Sequence, residues 1–244
     1  MKQKNIYFLL FLFILLACNN KANKNTEIQV MEDIEDAKDL LSDTATIQNY
    51  VFIPINRNTQ KAIEVAYDDD VEPDTMYVNL FNEDLIITRD GEIYKNDLLV
   101  FELELEEFFA IEKLFFIPIE KDELVAIYTD TDMDCSGSVV QRISLKSNKI
   151  LWSVNFGGFN MAPPVYIDDC VYLSTIGVLA KLNYLTGKFD WKFEDLYDKG
   201  KYNSFGFPHF YENDIVLFTS KKYDSPVPDS IFIDEKLKKI IKKQ

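Results

Sequence analysis

Asp130, Asp132 and Asp134 occupy alternate positions in Asp130-Thr131-Asp132-Met133-Asp134-Cys135-Ser136-Gly137, the spacing with which a loop offers carboxylates to a hard cation. A calcium loop of the EF-hand type, however, wants glycine where Cys135 stands and a bidentate glutamate where Gln141 stands. The three aspartates are thus a weak metal candidate, and an acidic hairpin loop explains them as well. Asp68-Asp69-Asp70 reads as a solvated turn. His209, the single histidine, lies between Pro208 and Phe210 and suits a part-buried strand better than a catalytic base. Cys135 and Cys170 are free to pair in an oxidising compartment, but sequence does not set their Cα separation. One histidine and three cysteines leave little material for a histidine metal centre or a nucleophilic triad. No catalytic residue, no cofactor and no enzymatic activity is expected.

The chain around these residues has 244 positions, 47% of them hydrophobic and 14% aromatic, enough to bury a core and too apolar for wholesale disorder. Its 26 basic and 41 acidic residues give a net charge of -15, which repels a polyphosphate backbone. Nucleic acid is excluded as a natural partner on that ground.

Lys2 and Lys4 precede an unbroken apolar run, Ile6 to Ala17. At about 1.5 Å per residue the run is too short for a hydrocarbon core of about 30 Å and matches the apolar region of an export signal. It ends at Leu15-Leu16-Ala17-Cys18, which resembles the lipobox of bacterial lipoproteins. That resemblance implies a signal peptide over 1–17, removal of it, and lipidation of Cys18 by acyl chains such as palmitate, which hold the chain at a membrane without a spanning helix. Asn19, where an aspartate would retain such a protein at the inner membrane, implies the outer membrane. Residues 18–49 form an acidic linker, polar at first, with Val30, Ile34, Ala37, Leu40 and Leu41 near one face of a short helix.

From residue 50 to 244 short β-branched and aromatic runs alternate with Asp, Asn, Gly and Pro, the pattern of strands and hairpins. Arg142 to Trp152 aligns without a gap on Lys181 to Trp191 at an offset of 39. Each copy is a strand, a turn that tolerates positive φ (Ser147-Asn148, Thr186-Gly187) and a second strand. Pro164 to Ser174 aligns on Pro208 to Phe218 at an offset of 44, each an apolar strand, an acidic turn and another apolar strand. Setting weaker copies in the same frame places polar anchors at Asn56, Asp97, Ser144, Asn183 and Asp234. Four strands then recur in a little over forty residues, the size of a propeller blade.

Leu182-Asn183, Thr186-Gly187-Lys188 and Trp191, with the parallel copy ending at Trp152, resemble the PQQ-like (quinoprotein-type) β-propeller repeat. The resemblance implies an all-β fold, a small or incomplete propeller of about four to five four-stranded blades. It also makes Trp152 and Trp191 structural wedges between blades, with Gly187 in the docking turn. Residues 76 to 242 supply four strand quartets and residues 50 to 66 half of another, so the expectation is a small ring, an open arc or a chain that needs a partner. Cofactor-binding members carry a vicinal disulfide, which this sequence lacks. The function expected is an envelope lipoprotein, anchored by lipid and binding an envelope protein as an assembly scaffold. The alternatives are an acidic inhibitor of a basic partner and a vestigial quinoprotein dehydrogenase.

Overall fold

The computed structural model describes residues 52–67, 75–105, 110–120, 123–131 and 136–241. The signal peptide, Cys18 and the linker lie outside the described residues. After three two-residue strands, β1 (Gln60–Lys61), β2 (Ile63–Glu64) and β3 (Ala66–Tyr67), come four antiparallel quartets. The first blade is β4 (Thr75–Leu80), β5 (Glu83–Thr88), β6 (Glu92–Lys95) and β7 (Leu98–Glu102); the second is β8 (Ala110–Glu120), β9 (Glu123–Thr131), β10 (Ser136–Ser144) and β11 (Lys149–Asn155). The third is β12 (Val165–Ile167), β13 (Cys170–Thr175), β14 (Val178–Asn183) and β15 (Phe189–Phe193). A short helix, α1 (Leu196–Gly200), leads to the fourth, β16 (Tyr202–Tyr211), β17 (Ile215–Lys222), β18 (Ser225–Asp234) and β19 (Lys239–Ile241). The fold is all-β and propeller-type, with four blades among the described residues.

Local chemistry sets these hairpins. Phe81-Asn82, Asn96-Asp97 and Asp168-Asp169 join strands through pairs of positive-φ residues, the backbone twist that matches a right-handed hairpin. Ser144, Asn183 and Asp234 end the third strand of their blades and accept the backbone N–H three residues on, from Ser147, Thr186 and Leu237. That bond closes the loop to the fourth strand and explains the recurring polar anchor.

Burying both faces of a sheet requires a neighbour on each, and the cores show the order. Met76, Ile87 and Phe101 pack on Leu114, Phe116 and Tyr128, joining blades one and two. Phe115, Val125 and Val140 meet Val171, Ala180 and Leu182, joining two and three. Tyr172, Leu179 and Trp191 meet Phe210, Val216 and Ile231, joining three and four. Among the buried described residues no fourth core joins blade four back to blade one.

Residues 50 to 66 do not supply half a blade. Pro54 bridges Tyr211 of β16, β1 pairs with β12, β2 with β8 and β3 with β4, all antiparallel. One extended strap thus adds an edge to the first strand of every blade, in the order four, three, two, one. From blade three to two and from two to one the strap advances three residues, about 10 Å at about 3.3 Å per residue, which matches the spacing of packed sheets. A half blade was expected because two-residue pairings carry no periodicity to read.

Two smaller expectations are also corrected. Asp97 is no anchor: it lies in the two-residue turn between β6 and β7, and Lys95, paired with Leu98, holds the equivalent place. The 208–218 hairpin carries one extra residue at its turn, because Tyr211 pairs with Ile215 where Ile167 pairs with Cys170, so the offset is 44 before the turn and 45 after it.

Candidate functional site

The fourth strand of each of the first three blades carries a β-bulge at the same place, opposite Ile93/Tyr94, Arg142/Ile143 and Lys181/Leu182. An extra residue there turns the next side chain toward the neighbouring blade. That side chain is Phe101, Trp152 or Trp191. The Trp152 indole N–H donates to the Tyr184 carbonyl at 3.0 Å. Gly187, at φ +68, lies against the same ring, where a Cβ would come within 2.7 Å of the indole. Trp191 is buried among Tyr172, Phe193 and Phe205, and its indole N–H has no partner in the structure. Phe101 is the wedge that the sequence frame missed, since blade one has a shorter turn and no tryptophan.

At each of the two later junctions a cation on the third strand meets a carboxylate and a phenol. At the second junction Arg142 on β10 bonds Glu123 through Nε and Nη2 at 3.1 and 2.6 Å. Its guanidinium lies 4.3 Å from the Tyr184 ring centre, and the Tyr184 hydroxyl donates to the same Glu123 oxygen at 2.6 Å. The Tyr184 and Arg142 hydrogen bonds hold the Glu123 carboxyl below its ordinary range, outweighing burial. Burial and the Glu123 bond push Tyr184 up to about 12.

At the third junction Lys181, which aligns with Arg142, sits 3.0 Å from Glu235. The Tyr172 hydroxyl donates to the same carboxylate at 2.7 Å. Glu235 is 7% exposed, a buried charge that stands only because it is paired. Burial pushes the Tyr172 phenol strongly up, reinforced by Glu235. Burial pulls the Lys181 ammonium down, but the Glu235 hydrogen bond and charge reverse that and leave it raised. Asp190 lies between Lys238 at 2.9 Å and Lys181 at 3.5 Å.

The strap is fastened into this cluster. Arg57 reaches Asp168 at 3.4 Å, Asp214 at 3.9 Å and Glu235 at 4.0 Å, and stacks over Phe210. The Gln60 amide donates to the Pro118 carbonyl at 2.6 Å, and Lys61 sits over the Phe207 ring. One segment therefore ties blades two, three and four by side chains as well as backbone.

Of the remaining sequence candidates, Asp132, Asp134 and Cys135 lie outside the described residues, and Asp130 is paired through its backbone with Gly137 at the end of the β9–β10 hairpin. Gln141 is fully buried, and its amide donates to the Glu104 carbonyl and the Tyr128 hydroxyl at 2.9 Å each, away from any loop ligand set. Among the described residues no group of three or more His, Cys, Asp and Glu side chains is arranged to hold a metal. His209 lies on β16 opposite Leu217, exposed rather than part-buried, on the face opposite Phe210, which takes the place in the core shared with blade three. The Cys170 thiol is free and half-buried, and burial pushes it up despite nearby Lys181. Phe156 and Phe205 are buried between blades, whereas Phe159 and Phe207 face solvent.

Arg57 and Glu235 were not singled out from sequence. Glu235 carried a signal, since it follows the anchor Asp234 as Tyr184 follows Asn183. Arg57 carried none, because its partners come from three distant turns.

No protein-family model matches the chain, and no curated protein matches it. Among solved structures it is similar to the crystal structure of BamB from Moraxella catarrhalis, at 12% identity and a TM-score of 0.33, over 78% of this chain and 66% of that one.

Proposed function

We propose that this chain is a lipid-anchored envelope protein whose four-bladed domain is a protein-binding scaffold without catalysis. The observation that carries the reading is the strap. Its backbone and Arg57 occupy the first-strand edges of the blades, the inner edges in a propeller, and quinoprotein-type propellers hold their cofactor in the central channel, which supports a binding surface on the outer edges and loops instead. The repeat resemblance supports the PQQ-like lineage, Leu15-Leu16-Ala17-Cys18 supports the Cys18 anchor, and Asn19 supports the outer-membrane address. A second reading, an acidic inhibitor of a basic protein, is favoured by the net charge of -15.

The test is cross-linking of the full chain in intact cells, with Cys18→Ser beside it. The scaffold reading expects Cys18→Ser to leave the membrane fraction and the wild type to cross-link to a membrane-resident assembly. Stoichiometric capture of one small basic protein would transfer the conclusion to the inhibitor. A saturable absorbance change on titration with pyrroloquinoline quinone would overturn both.

A further inference from the structure

The outer edges of the four blades are not alike. Strand β15 buries Trp191 and Phe193, β19 buries Ile241, and β11 alternates exposed and part-buried residues. Strand β7 instead presents three successive apolar residues to solvent: Leu98 is 70% exposed, Leu99 53% and Val100 39%. It is the last strand of its sheet, so its outward N–H and C=O groups pair with no other strand. Proteins ordinarily blunt such an edge with a lysine, a proline, a bulge or a covering loop. The centre of β7 has no charge and no proline, and its one bulge, opposite Ile93/Tyr94, leaves Leu98, Leu99 and Val100 all at the surface.

The surroundings select what covers it. From 92 to 107 the sequence carries six carboxylates against one lysine, Lys95, and that lysine is engaged by Glu83. Glu92 pairs with Glu102 across β6 and β7, so like charges flank the apolar centre on neighbouring strands. A second copy laid on β7 would bring the same acids to the same edge, which like-charge repulsion disfavours. We propose that the β7 edge is the docking site for an extended segment of a partner protein, apolar on alternate positions and basic between them. The segment adds main-chain hydrogen bonds to the sheet, lays its apolar positions beside Leu98 and Val100 on the face of Phe101, and sets its cations on the opposite face, where β7 carries Glu102. This rests on the scaffold reading and gives it a surface and a partner chemistry.

The probe is a fluorescent octapeptide of alternating valine and lysine, titrated by anisotropy against the full chain in detergent. Controls are the valine–glutamate and glycine–lysine peptides. Leu98→Glu tests the edge, and Leu151→Glu, at the exposed bulge of β11, is the control variant. Leu98→Glu makes the protein more acidic, so attraction by charge alone would tighten binding. The proposal expects at least about tenfold weaker binding instead. Leu151→Glu leaves binding unchanged, and amide exchange slows over 98–102 when the valine–lysine peptide binds. Unchanged or tighter binding by Leu98→Glu, equal binding of the glycine–lysine peptide, protection elsewhere, or a wild-type dimer that Leu98→Glu dissolves would each overturn it. Both variants sit on the surface, so near-native urea midpoints are expected and confirm folding. An envelope cross-link that survives Leu98→Glu would refute this edge and leave the scaffold reading standing.

Discussion

The second and third blade junctions use one position for opposite strategies. Arg142 and Lys181 occupy the same repeat position, each faces the tryptophan of the next strand, and each meets one carboxylate and one phenol. At the second junction the carboxylate, Glu123, is on the same blade as the arginine, and the phenol comes from the next blade. At the third the phenol, Tyr172, is local and the carboxylate crosses over. The consequence is electrostatic. Glu123 keeps 28% of its side chain exposed and stays part-solvated, whereas Glu235 keeps 6% and depends on its partners. A planar guanidinium can bond an acid and stack on a ring together, so water need not be excluded. An ammonium offers neither fork nor plane, and its junction is closed by burial.

The largest effect is expected where the buried charge loses its match. Glu235→Ala removes the hydrogen-bond acceptor of the Tyr172 hydroxyl and leaves Lys181 with Asp190 at 3.5 Å, and should cost about 3 kcal/mol, against about 1 kcal/mol for Glu123→Ala at the part-solvated junction. Urea midpoints measure both. Equal losses would erase the distinction between the junctions. The double variant Lys181→Met with Glu235→Leu sharpens it, because replacing a buried ion pair with apolar groups should recover most of the stability.

An intermediate effect is expected at the turns that receive the indoles. Gly187→Ala places a Cβ at 2.7 Å from Trp152 and at φ +68, so it should destabilise by about 1–3 kcal/mol and shift Trp152 fluorescence. At the third junction Lys238 already holds the matching left-handed position, at φ 54, and Trp191 bonds nothing through its indole N–H. Lys238→Ala should therefore leave the fluorescence of Trp191 unmoved. A shift there, with none for Gly187→Ala, would reverse the assignment of the tighter seat.

The four quartets were legible because strand pairs alternate and most turns carry Asp, Asn or Gly where positive φ is required, Phe81 and Lys238 being exceptions. The anchors were legible at Ser144, Asn183 and Asp234, where one side chain accepts the N–H three residues on and closes a short loop. At Asp97 the same residue type serves a two-residue turn instead, so the frame slipped and hid Phe101. The strap left no trace, since pairings of two residues have no period and Arg57 draws its acids from other blades. The junction clusters were hidden for a related reason: Glu123 meets Tyr184 and Tyr172 meets Glu235 across 61 and 63 positions, a pairing that only the stacking of blades creates.

The smallest effect is the pH response of the two junctions. Tyr172 and Lys181 at the third and Tyr184 at the second are raised above their ordinary values. A group raised in the folded state contributes its stability fully below its unfolded pKa and loses it as pH climbs toward the folded one. Both junctions should therefore weaken from about pH 10 upward, each raised group adding at most about 1.4 kcal/mol per pH unit. Glu123, lowered at the second junction, behaves oppositely: its contribution is present above the ordinary carboxylate range and fades as pH falls below it. Urea midpoints from pH 8 to 11 should decline for the wild type and decline less for Tyr172→Phe, which has no phenol to titrate in the unfolded chain. The same pair compared from pH 6 down to 3 should run parallel, because Glu123 is intact in both. Parallel curves at high pH as well would mean that the buried Tyr172–Glu235–Lys181 contact does not set the alkaline limit.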